Sequence, residues 1–132
     1  MNILSALRAI IINADIATSV SNRVYPYGDP GVDVSAFPYI TIMDYVDEGI
    51  RTTGDADVIS KSRTIQVSLW QKTADEDDNL IEQLMDAVDR ANLADTDTKT
   101  LRVRVLGVTR IVERDTAVVQ HALTTGVTYL PV

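Results

Sequence analysis

Between Arg63 and Trp70 the side chains alternate: Ile65, Val67 and Leu69 fall on one side, and Thr64, Gln66 and Ser68 on the other. A period of two sends successive side chains to opposite faces of a strand, so this stretch belongs to a sheet with one dry and one wet face. Such a sheet must bury its apolar face under another layer. The rest of the chain is therefore read for strands that extend the sheet and helices that cover it.

Two further runs carry strand chemistry. Tyr39 to Val46, Tyr-Ile-Thr-Ile-Met-Asp-Tyr-Val, is rich in β-branched and aromatic residues, and Val118 to Leu130 puts Val119, His121, Leu123, Val127 and Tyr129 on one face. A fourth strand is predicted where Leu101, Val103 and Val105 alternate with Arg102 and Arg104, with a bulge at Gly107, because glycine lets the register shift.

The covering layer comes from two amphipathic stretches. From Asn2 to Asp15, Ile3, Leu4, Leu7, Ile10, Ile11 and Ala14 recur at intervals of three and four, with Arg8 and Asn13 off the stripe and Asn2 or Ser5 as the cap. From Thr73, an N-cap residue with Glu76 three positions on, a second helix carries the stripe Leu80, Ile81, Leu84, Met85 and Val88 and ends in the polar run Asn92 to Lys99. The carboxylates of Asp75, Glu76, Asp77 and Asp78 suit the positive end of its macrodipole. The predicted order is αββαββ: an α+β sandwich in which an antiparallel sheet of about four strands is covered on one face by two helices. One domain spans residues 1–132, and the polar segment from Asp47 to Ser62 projects from it as a loop.

Composition narrows the function more than it names it. The chain has no cysteine, which removes disulfides, thiolate zinc sites and a thiol nucleophile, and fits a reducing cytoplasm. Its N-terminus lacks the pattern of a signal peptide, and no window approaches the roughly 20 apolar residues of a membrane span. Twelve basic and 19 acidic residues give a net charge of −7, which opposes attraction to a phosphate backbone or an anionic membrane.

Motifs for chemistry are missing. The single histidine, His121, has no Gly-x-Ser-x-Gly elbow to serve, and reads as a strand histidine with a hydrogen-bonded partner. Asp75 to Asp78 lacks the glycine turn and terminal glutamate of a calcium loop, and helix-start electrostatics accounts for it better. Asp44, Asp47, Glu48, Asp55 and Asp57 are acids of a polar segment without the companions of a nuclease metal site. No phosphate-binding glycine motif occurs. The reading is no catalytic residue, no metal and no cofactor. The one basic concentration is Arg102, Arg104, Arg110 and Arg114, whose members can pair with carboxylates of a neighbouring strand or subunit.

The stretch from Arg23 to Pro38 is the least generic. It holds Tyr25, Tyr27 and Phe37 and three of the chain's four prolines. Proline reduces the entropy lost on ordering and the aromatics bury large areas, so it reads as an ordered arm packed either on its own helix and sheet or against a neighbouring subunit.

The leading helix with Leu4-x-x-Leu7-Arg8-Ala9, then Asn22-Arg23-Val24-Tyr25-Pro26 and Phe37-Pro38-Tyr39-Ile40-Thr41-Ile42, resemble the tail-terminator or tail-completion proteins of long-tailed bacteriophages. The resemblance continues through Ser62 to Trp70 and the acidic-start helix to Gly126-Val127-Thr128-Tyr129. It implies a non-enzymatic virion protein at the tail–neck junction, assembled in the bacterial host cytoplasm as a ring, typically a homo-hexamer. That ring caps the head-proximal end of the tail tube, stops its polymerisation and docks the head or neck connector protein. Double-stranded DNA passes through the lumen without specific binding, which suits six copies at −7 each, −42 in all. On this reading Asp47, Glu48, Arg51, Asp55 and Asp57 contact the tail-tube protein, and Tyr25, Tyr27, Phe37, Arg102 and Arg104 anchor subunit interfaces. A neck adaptor ring is the nearest alternative; a small metal-dependent enzyme and a monomeric binding module stand further off.

Overall fold

The computed structural model describes residues 3–26, 36–52, 59–89, 91 and 98–131, with side chains described over 3–26, 36–43, 62–89, 91 and 103–128. The elements in chain order are α1 (Ile3–Ile12), α2 (Ile16–Ser19), β1 (Val24–Pro26), β2 (Tyr39–Thr52), β3 (Ile59–Lys72), a 3-10 turn (Thr73–Asp75), α3 (Asp78–Val88), β4 (Thr98–Glu113) and β5 (Val118–Pro131). The α+β class stands, with five strands in the order β1-β2-β3-β5-β4 in place of about four, and three helices in place of two.

The additional elements are short. β1 runs parallel to β2, pairing Val24 with Ile40 and Pro26 with Ile42. It lies at a sheet edge, where a proline's missing N–H costs no ladder bond, and this is why a proline-bearing stretch that reads as loop holds a strand. The N-terminal stripe divides at Asn13, whose side-chain amide donates to the Ala9 carbonyl at 2.9 Å. That local bond competes with helix continuation, so one helical stripe becomes α1 and the single turn α2. Ser5 lies inside α1 and does not cap it; Asn2 is outside the described residues.

α3 also starts later than its sequence signal. The Asp77 carboxylate accepts from the Asn79 amide at 2.9 Å and is the N-cap, with Asp78 in the first turn. Thr73 opens the 3-10 turn instead, and its backbone N–H and hydroxyl both donate to the Ala117 carbonyl, at 2.9 and 3.2 Å, tying the turn to the β4–β5 connection.

The segment from Asp47 to Ser62 is strand at both ends rather than loop. β2 continues to Thr52 and β3 begins at Ile59, with Gly49 opposite Ser62 and Thr52 opposite Ile59. The β2–β3 pairing passes the last β3–β5 pair, Lys61 with Tyr129, by the two pairs Arg51–Ser60 and Thr52–Ile59, and has register shifts between Asp44 and Val46 and between Val46 and Gly49. Charged and glycine residues in this segment weaken the strand signal, but ladder hydrogen bonds need no apolar side chains. In β4 the register also shifts between Val105 and Gly107, where the glycine signal places a bulge.

One face of the sheet carries the core. Val24, Ile40, Ile42, Ile65, Val67, Leu69, Leu123, Val127 and Val103 pack with Ile3, Leu4, Leu7 and Ile11 of α1, Ile16, Val20, and Ile81, Leu84 and Val88 of α3. No described helix packs on the opposite face, where the Thr64 to Trp70 and Gln120 to Thr128 positions carry hydroxyls, amides, alanine, glycine and one indole, with no charged residue. No described helix is long and apolar enough to cross a membrane.

Candidate functional site

Three surfaces stand out. The first is an aromatic corner at the start of β2, built around Tyr39, which is only 8% exposed. Its ring lies 5.9 Å from that of Trp70 with the planes 12° apart, 5.2 Å from Phe37, and 6.0 Å from Tyr25 in an edge-on arrangement. The strand register creates this cluster, since Tyr39 stands directly opposite Trp70. The indole N–H of Trp70 donates to the Thr41 hydroxyl at 2.9 Å, and the Lys72 ammonium sits 5.4 Å from the Phe37 ring centre. Arg23 fastens the approach by donating through Nε to the Pro38 carbonyl at 3.1 Å across the cis Phe37–Pro38 bond. Burial pushes the Tyr39 phenol above its ordinary pKa, and the neighbouring Tyr25 pushes the same way.

Tyr25 and Phe37 thus make their described contacts within the chain and remain half-buried, leaving ring surface for a neighbour. Tyr27 lies outside the described residues. Beside the corner, Ser19, Phe37, Pro38, Gln71, Lys72, Asp75, Asp77 and Leu80 line a cleft of about 360 Å³. It gathers one lysine and two carboxylates but no nucleophile with an adjacent base.

The second surface is the β4 edge. From Leu106 to Ala117 every residue is exposed, and the strand shows Leu106 (65%), Val108 (41%), Ile111 (47%) and Val112 (41%) to solvent. Of the two arginines read as interface anchors, Arg104 approaches Asp89 at 3.4 Å, and Asp89 also accepts from the Val105 amide at 2.9 Å. The C-terminal end of α3 therefore closes the edge at Val105 and leaves it open beyond. Arg102 lies in β4 opposite Thr128, at a register shift.

Arg110 forms a bidentate pair with Glu76, donating at 2.8 and 2.6 Å, and His121 Nε2 faces the same carboxylate at 3.2 Å. These hydrogen bonds from Arg110 hold the Glu76 carboxyl below its usual pKa; partial burial opposes this, and the charges of Arg110 and His121 add to it. Glu76, Asp78 and His121 bring ligand atoms within 4.8 Å of one another, but the Arg110 guanidinium already takes the position a cation would occupy against Glu76. The helix-start acids are thus divided, with Asp77 and Asp78 serving α3 and Glu76 clamping the sheet edge to the turn before it.

A depressed carboxyl pKa stabilises the folded state fully above the ordinary value of 4.5 and loses that contribution as pH falls through the folded value. Glu76→Gln is therefore expected to lower stability at neutral pH, where the contribution is fully present, and to converge on wild type as pH falls below the folded value, which flattens the acid limb. Denaturant midpoints between about pH 3 and 7 measure this, and superimposable wild-type and variant profiles would contradict it.

The third surface is the extended β2–β3 hairpin. Asp47 and Glu48 lie in β2 between Val46 and Gly49, level with the part of β3 that pairs with β5, and Arg51 lies just beyond that part, while Asp55 and Asp57 fall outside the described residues. The apolar edge from Leu106 to Val112 is not among the surfaces expected from the sequence, although Val108, Thr109, Ile111 and Val112, β-branched and broken only by Arg110, are an available strand signal.

The described residues define a class of fold: a two-layer α+β arrangement with an open sheet face, a long edge strand β4 and a long β2–β3 ladder. No family model matches the sequence, and no curated protein matches it. Among solved structures, the chain is similar to one in the virion of a native gene transfer agent particle, with a TM-score of 0.73 and 14% identity over 96% of this chain and 93% of that one. At that identity the likeness is one of fold.

Proposed function

We propose that this chain is a virion structural protein of a tailed phage or phage-like particle, a tail terminator acting as a ring. The observation that carries this reading is the fold shared along nearly the full length of both chains with a component of a gene transfer agent virion. The ring, a homo-hexamer, seats on the head-proximal end of the tail tube, ends its polymerisation and offers its other side to the head or neck connector protein. DNA passes through the lumen without specific binding, and the reading requires no catalytic residue, metal or cofactor.

Roles follow from the surfaces. The outer end of the β2–β3 hairpin contacts tube protein through Asp47, Glu48 and Arg51, together with Asp55 and Asp57, because strands already fixed in a ladder lose less entropy on binding than a free loop. The half-buried rims of Tyr25 and Phe37, together with Tyr27, Arg102 and Arg104, contribute to contacts between subunits. Native mass spectrometry of the purified chain is expected to show a closed hexamer. A monomer at every concentration that also ignores tube protein would transfer the reading to a binding module, and a ring that binds only portal-proximal proteins would make it a neck adaptor.

A further inference from the structure

We infer that the outer edge of β4, from Leu106 to Glu113, receives the outer edge of β2 from a second copy of this chain, so that the sheet continues antiparallel from subunit to subunit. This deepens the ring reading and rests on it.

β4 ends the sheet, and the seven consecutive residues from Gly107 to Glu113 pair inward with β5 while nothing described pairs with their other side. A long exposed edge with apolar side chains is a template for another strand, and proteins that do not use such an edge usually blunt it with charge, proline or a covering element. Here the covering stops at Val105, where Asp89 accepts its amide. Beyond that point Leu106, Val108, Ile111 and Val112 are exposed.

The opposite end of the sheet offers the complement. β1 covers β2 only at Ile40, Thr41 and Ile42, so from Met43 onward no described strand lies on that edge. Directions also agree: β2, β3, β5 and β4 are successively antiparallel, so β4 runs opposite to β2. A copy placed by rotation about an axis along the strands therefore brings β2 antiparallel to β4 with the helix layers on the same side.

Charge opposes a pairing of β2 with itself. Over Met43 to Glu48 that edge carries Asp44, Asp47 and Glu48, a formal −3 that repels a second copy of the same edge, whereas Leu106 to Glu113 carries Arg110 and Glu113, a formal zero. Joining β2 of one copy to β4 of the next is a head-to-tail contact, which closes into rings. Pairing through Met43 to Glu48 leaves the hairpin beyond Gly49 clear to reach the tube.

The chain's lack of cysteine makes the test direct. Val108→Cys is combined in turn with Asp44→Cys, Val46→Cys and Glu48→Cys in the full chain, oxidised under native conditions and resolved on denaturing gels, beside each single variant. Circular dichroism reports folding, and native mass spectrometry of the wild type and variants reports assembly. The expected result is a ladder from dimer to hexamer in at least one double variant, with single variants remaining monomeric on the gel. Dimers from Val108→Cys alone would overturn the proposal in favour of a two-fold contact. Folded variants that assemble yet never cross-link would overturn the edge contact while leaving the ring intact, and a wild type that never assembles would overturn both.

Discussion

Leu69→Ala is expected to lower the free energy of unfolding by about 2–5 kcal/mol, a large share of the 5–15 kcal/mol typical of a domain. Leu69 is fully buried in the middle strand of the sheet, with Ile40 opposite on one side and His121 on the other. Truncation removes its apolar transfer energy and leaves a cavity between strands held in register by their ladders, where neighbours relax only partly. Leu106→Ala deletes the same atoms from a side chain that is 65% exposed, and should change stability by no more than about 0.5 kcal/mol. Chemical denaturation of both variants decides the matter. Equal losses would mean that the sheet does not bury the face described here.

Shortening the hairpin by deleting Gly49 to Asp57 should have the opposite profile, with modest loss of stability and loss of tube-end binding by on the order of 100-fold or more, equivalent to about 2.7 kcal/mol. The described core draws on β2 through Ile40 and Ile42 and on β3 through Ile65, Val67 and Leu69, all on the body side of the two register shifts near Val46. The shifts separate the ladder of the tip from the ladder of the body, so removing the tip leaves the core contacts in place. Thermal unfolding and co-sedimentation with tubes measure the two effects. A variant that binds tube ends as well as wild type would remove the hairpin from the contact.

Strong periodicity made much of this architecture readable in advance. Ile65, Val67 and Leu69 are buried where their alternation puts them, as are Leu4, Leu7, Ile11, Leu84 and Val88 on their helical stripes. Gly107 marked a register shift that the strand pairing contains. Less visible were features set by backbone pairing alone. The outer hairpin strands carry Asp47, Glu48, Gly49 and Ser60, whose side chains give little strand signal, and β1 has only three residues, one of them proline.

Local polar bonds moved the helix ends. Thr73 and Glu76 have the spacing of a capping box, yet Thr73 bonds Ala117 and Glu76 clamps Arg110, partners 44 and 34 residues away. A short motif cannot compete with contacts that tertiary structure supplies. The aromatic corner was legible as composition, since Tyr25 and Phe37 were singled out, but its centre at Tyr39 and Trp70 follows from a register that only the folded sheet fixes.

The proposed ring at the end of a tail tube is open to negative-stain imaging of the purified protein added to polymerising tube protein. Sixfold rings seated at one end of each tube, with tube growth arrested at that end, are the expected result. Tubes that keep growing at both ends, with the protein free in solution, would contradict it.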